Sequence, residues 1–117
     1  MEPEEPQEPN GDEEIPPGMA CYFLGLLTRG PKWTAEVTPE TTQVGEAHMA
    51  NIRRMGAAGQ LVIAGPCPDE SQLQGIYVFK AGSLSEAQAL TESDPAVQAG
   101  RFTFEVHPWW VMKGLLP

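Results

Sequence analysis

Basic residues are scarce in this chain: Lys and Arg number 7 against 16 Asp and Glu, a formal net charge of −9 over 117 residues. Binding nucleic acid calls for a basic stripe that neutralises phosphates, and none is present, so a DNA or RNA partner is disfavoured. Cysteine is scarcer still. Cys21 and Cys67 are the only two, too few for a disulfide framework, and both read as reduced thiols. Long apolar runs are missing as well. The longest, Met19 to Leu27, has nine residues, far short of the ~20 that span a bilayer. The N-terminus is acidic and proline-rich, where a signal peptide would be basic and then apolar. No membrane partner is expected, and the default location is cytoplasmic.

Familiar chemical signatures are also absent. The sequence has no glycine loop with its lysine for cradling phosphates and no Gly-x-Ser-x-Gly nucleophile turn. His48, His107, Cys21 and Cys67 share no metal-ligand spacing. Neither a metal nor another cofactor is expected.

What is present is unevenly distributed. Residues 1–18 hold seven acids (Glu2, Glu4, Glu5, Glu8, Asp12, Glu13, Glu14), five of the twelve prolines and no Lys or Arg. Such a segment cannot bury enough apolar surface to offset its ordering entropy. It reads as a disordered tail, solubilising or, alternatively, an interaction segment. The stretch 19–117 then carries only −2 and, with 41% apolar residues in the whole chain, reads as one domain with a modest core.

Along that domain, Cys21 to Thr28 is a short run apolar on both faces, which suits a buried strand. Thr38-Pro39 gives a helix start, a hydroxyl cap followed by proline at the first helical position, and the helix runs to about Ala58 before Gly59. Leu61–Gly65 and Gly75–Lys80 are strands that suit a hairpin. Ser83 with Glu86 forms a capping box for a helix to about Glu92. Asp94-Pro95 opens a short helical turn that stops at Gly100. Phe102 to about Trp109 alternates apolar and polar residues as a final strand. The order βαββαβ is the ferredoxin-like motif, an α+β fold with a four-stranded antiparallel sheet and two helices on one face. The other face needs a cover, and the apolar strands with Trp109 and Trp110 point to a second copy of the chain.

Two residues stand out chemically. At about 100° per residue, His48 falls with Val44, Asn51, Ile52 and Met55 on the inward face of the first helix, while Glu46, Ala50 and Arg53 fall opposite. An inward imidazole needs partners for its ring nitrogens; the bland alternative is an ordinary core histidine. Asp94 before proline suits a helix cap, although one carboxylate oxygen could cap while the other meets a histidine. His107, on the polar face of the last strand, reads as solvated.

Taken in order, several segments resemble the YCII-related family. They are Glu46-Ala47-His48-Met49-Ala50-Asn51-Ile52, Gly59 through Pro66, Gly75 through Phe79, Ser83 through Ala87, Ser93 through Gly100, and Glu105-Val106 with Pro108-Trp109. The resemblance spans about residues 20–110. It implies a ferredoxin-like fold, two chains forming a dimeric α/β barrel, and a site at His48 and Asp94. Where many members carry a basic residue one turn before the histidine, this sequence has Gly45. The leading reading of these residues is an enzyme that transfers a proton on a small polar organic molecule, of elimination or isomerisation type. His48 would be the general base, since imidazole exchanges protons near neutral pH, and Asp94 would orient it. Arg29, Tyr22 and Trp33 are the candidate substrate-binding residues. The alternative is a non-catalytic small-molecule-binding or regulatory dimer module whose His–Asp contact is structural.

Overall fold

The structure is a computed structural model that describes residues 14–115. Most of the acidic tail, residues 1–13, lies outside the described residues. Seven elements follow in order: β1 (Met19–Arg29), α1 (Pro39–Ala57), β2 (Leu61–Pro66), β3 (Leu73–Phe79), α2 (Leu84–Glu92), α3 (Pro95–Gln98) and β4 (Phe102–Met112). The strands form one antiparallel sheet in the order β2-β3-β1-β4. This is the ferredoxin-like βαββαβ arrangement, with α3 as a short extra turn before the last strand.

Alternation along the strands decides which side chains meet the helices. Phe23 and Leu27 of β1, Tyr77 and Phe79 of β3, and Val106 of β4 turn to one face, where Met55, Leu84 and Ala87 pack on them. Burying a large aromatic or aliphatic side chain of this kind stabilises by about 1.5–3 kcal/mol, so this face holds the fold together. Tyr22, Leu24 and Leu26 point the other way and stay half-buried, beside the exposed Trp109. β1 and β4 are longer than their apolar cores suggest: they remain paired from Met19↔Met112 to Arg29↔Phe102.

The helix ends follow the sequence. Thr38 caps α1 by accepting from Thr41 N, and the Thr41 hydroxyl accepts from Thr38 N in return. Ser83 caps α2 through Glu86 N, while the Glu86 carboxylate takes the Gly82 N–H at 2.8 Å. Each satisfies backbone donors that a helix start leaves open.

One expectation is corrected. The sheet does not close into a barrel, and the dimeric α/β barrel is not the architecture of this chain. β2 and β4 are the two edges of an open sheet and do not pair with one another. Four strands are too few to close: even eight leave an interior just wide enough for side chains. β2 is also only six residues long and irregular in register between Leu61 and Ile63.

Candidate active site

α1 presents a stripe in which Asn51 and Met55 are buried, and His48 lies one turn before Asn51 on the same side. Its side chain is 18% exposed. Polar atoms further along the stripe are also paired, since the Arg54 guanidinium donates to the Asn51 amide oxygen.

Asp94 reaches the same place from the far side of the fold. α2 ends at Ser93, and Asp94 takes an extended backbone (φ −63°, ψ 125°) that starts α3. Its Oδ1 accepts from Ala96 N at 2.8 Å, which is the capping bond read from the sequence. Gly100, at φ +78°, then ends the turn in the left-handed region that favours glycine. Wholly buried, Asp94 also receives His48: both carboxylate oxygens lie 2.8 Å from Nδ1. The cap and the histidine contact therefore coexist in one side chain.

Tyr77 completes the cluster, and the sequence reading passed over it. Its hydroxyl donates to Asp94 Oδ2 and lies 3.4 Å from His48 Nδ1. A signal was present: alternation along β3 turns Tyr77 inward, and a buried tyrosine hydroxyl usually finds a partner. Gly25 makes room for it from the neighbouring strand. The two residues are paired in register, and a Cβ at position 25 would meet Tyr77 Cβ and Phe79 Cε2, each at 3.3 Å.

The electrostatics follow from these contacts. Burial pushes the Asp94 carboxyl up, but several opposing effects outweigh it. The hydrogen bonds from His48 and then Tyr77, the attraction of His48 and the Ala96 N–H together hold the group below the usual aspartate range. Tyr77 is pushed well above the ordinary tyrosine value, by burial first and then by its bond to Asp94 and that carboxylate's charge. Asp94 is thus an acceptor and the Tyr77 hydroxyl a permanent donor. An ionised carboxylate can only accept, so the hydrogen between it and His48 sits on Nδ1. Nε2 is left as the imidazole nitrogen available for other chemistry.

His48 and Tyr77 line a cavity of about 420 Å³. Its walls include Leu27, Ile52, Ala64, Ile76 and Phe102, with Cys67 at the β2–β3 connection. The Phe102 ring meets the imidazole edge-on, 5.6 Å between centroids. That volume lies within the range of small-molecule sites, which are concave and mostly apolar with a few fixed polar groups.

The other expected site residues lie elsewhere. Tyr22 pairs with Trp109 on the open face of the sheet. Arg29 and Trp33 find each other, with the guanidinium carbon 3.9 Å from the indole centroid, and Arg29 Nη2 donates to Glu70 O at 3.4 Å. None of the three borders the cavity beside His48. Trp33 lines a neighbouring hollow of about 380 Å³ with Thr34, Thr41 and Arg101, and this hollow shares Gln74 and Phe102 with the cavity beside His48. His107 is exposed and bonds Glu105 at 3.0 Å. Among the described residues no group of three or more His, Cys, Asp and Glu could hold a metal ion, and no helix is long and apolar enough to cross a membrane.

Comparison with known proteins gives three results. Among solved structures, the chain is similar to a 5-chloro-2-hydroxyhydroquinone dehydrochlorinase (TftG) from Burkholderia phenoliruptrix AC1100, in complex with 2,5-dihydroxybenzoquinone. The TM-score is 0.58 at 21% identity, over 75% of this chain and 92% of that one. At that identity the likeness speaks for the fold. No curated protein matches the sequence. The family model of the YCII-related domain matches residues 25–110, which takes in His48, Tyr77 and Asp94, and the chain belongs to the YCII-related domain family.

Proposed function

We propose that the cavity beside His48 binds a small organic molecule and that His48 moves a proton on it. Nε2 would take the proton as general base. Asp94 would hold the ring through Nδ1–H and stabilise the imidazolium that forms, and Tyr77 would steady the carboxylate. Abstraction of a proton followed by loss of a leaving group, or by its return at another atom, gives elimination or isomerisation. An elimination is in keeping with the dehydrochlorinase that the fold resembles.

One observation carries this reading: a partly accessible histidine on an apolar cavity has its far nitrogen tied to a wholly buried carboxylate. A merely structural pair would have no need of the cavity. The test is a cocktail screen of small uncharged organic compounds, read by NMR at the His48 ring. Binders should perturb that ring, and His48→Asn should abolish their binding while leaving the fold intact. Binders that all act elsewhere on the protein would end the proposal.

A homodimer remains part of this reading. The second copy would rest on the sheet face bearing Tyr22, Leu24, Leu26 and Trp109, with each sheet staying open. Sedimentation equilibrium at micromolar concentration is the check, and a persistent monomer would remove the dimer.

A further inference from the structure

We infer that the cavity selects an uncharged ligand with a weakly acidic proton and discriminates against carboxylates, phosphates and ammonium groups of the same size. The inference deepens the function proposed above and rests on it. No Lys, Arg, Asp or Glu lines the cavity among the described residues. Arg29 stacks over Trp33 and donates to Glu70 O, and Arg101, which lines the neighbouring hollow, donates to Thr34 O at 2.9 Å.

The dyad itself sets the sign. Asp94 is ionised, and its oxygens are taken by His48, Tyr77 and Ala96 N. With His48 in the neutral form that the proposed proton transfer requires, the polar end of the cavity carries one net negative charge, set back behind His48. A ligand that arrives as an anion meets that charge at short range in apolar surroundings, where it is poorly screened. A cationic ligand gains from the charge but cannot reach the buried carboxylate, and it gives up its hydration on entering apolar walls. An uncharged ligand escapes both penalties.

Such a ligand also fits the ring nitrogen that the His48–Asp94 pair leaves open. Nε2 of a neutral His48 accepts a hydrogen bond from a hydroxyl or takes a proton from an acidic C–H or O–H bond. When the proton crosses, the ligand's bond to hydrogen breaks and the N–H bond forms. The ligand becomes an anion beside an imidazolium whose charge Asp94 already balances. The anion is thus made in place beside a His48–Asp94 ion pair, and the net charge of site and ligand together does not change. An acid that ionised in solution has left that proton behind.

Three probes of matching ring and size separate these cases: phenol, benzoate and benzylammonium. A phenol ionises near ~10 and a carboxylic acid near ~4, so at neutral pH they differ in charge. Binding is followed by calorimetry and by the His48 ring resonances, with His48→Asn as the control for location. Phenol should bind at least about tenfold more tightly than either charged probe, the charge penalty of an apolar site being of that order or more. In Asp94→Asn, which removes the fixed negative charge, the gap between phenol and benzoate should narrow. Benzoate or benzylammonium binding beside His48 as tightly as phenol overturns the charge inference and leaves the small-molecule reading standing. If no probe reaches His48, both fall.

Discussion

Both carboxylate oxygens of Asp94 lie 2.8 Å from Nδ1 of His48, across 46 positions of sequence. Neither α1 nor the α2–α3 junction could hold this contact alone. The sheet brings them together, and Tyr77 on β3 ties the carboxylate to its floor.

Tyr77→Phe removes one donor from a buried, ionised acceptor while keeping the ring. Hydrogen bonds to charged groups contribute about 1.5–3 kcal/mol, and a loss of that size is expected in urea unfolding. The Asp94 carboxyl should also titrate at a higher pH by carbon NMR, since the Tyr77 bond is among the contacts that lower it. Unchanged stability together with an unchanged titration would mean that the hydroxyl does not serve Asp94.

Acid should weaken the fold through the same carboxylate. The folded-state pKa of Asp94 is depressed, so its contribution is present above the unfolded value, ~3.9. It is lost as pH falls through the folded value. The difference in unfolding free energy between wild type and Asp94→Asn should therefore be largest near pH 6 and shrink towards about pH 2. A difference that stays constant over that range would contradict the assignment.

The capping and charge roles of Asp94 can be separated. Asparagine caps a helix about as well as aspartate, so Asp94→Asn keeps a partner for Ala96 N. Asp94→Ala loses the cap and also strands Nδ1–H of His48 and the Tyr77 hydroxyl. Leaving a buried donor unpaired costs about 1–3 kcal/mol. Stability by denaturant titration should fall in the order wild type, Asn, Ala, and equal losses for Asn and Ala would show that the cap contributes nothing.

Gly25→Ala tests the seat of Tyr77. Replacing glycine normally stabilises by about 0.4–1 kcal/mol through the unfolded chain. Here the added methyl would stand 3.3 Å from Tyr77 Cβ and Phe79 Cε2, and both rings are buried with little room to retreat. Overpacking of this kind costs about 1–3 kcal/mol, so a net loss in unfolding free energy is expected. A stabilised variant would show that the rings give way freely.

The local elements were set by the sequence alone. Thr38-Pro39 dictates where α1 starts, the phase of its apolar residues turns His48 inward, and Ser93-Asp94-Pro95 forces a break and a new cap. These depend on neighbours within a turn or two, where backbone sterics and hydrogen-bond needs act directly. Strand ends were less legible. β1 and β4 run on to Met19 and Met112 because each supplies the other's hydrogen bonds, a condition that no single segment contains.

Only the tertiary structure decided which distant groups meet. It placed Tyr77 beside His48 and Asp94, because strand register sets Tyr77 opposite Gly25 and so gives its ring space. It also took Arg29 and Trp33 away from the cavity by stacking them on one another, and left Tyr22 on the opposite face, since neighbouring strand residues point to opposite sides. The open sheet has the same origin: whether two edge strands meet depends on strand number and tilt through space, and residue types along one strand carry no record of that.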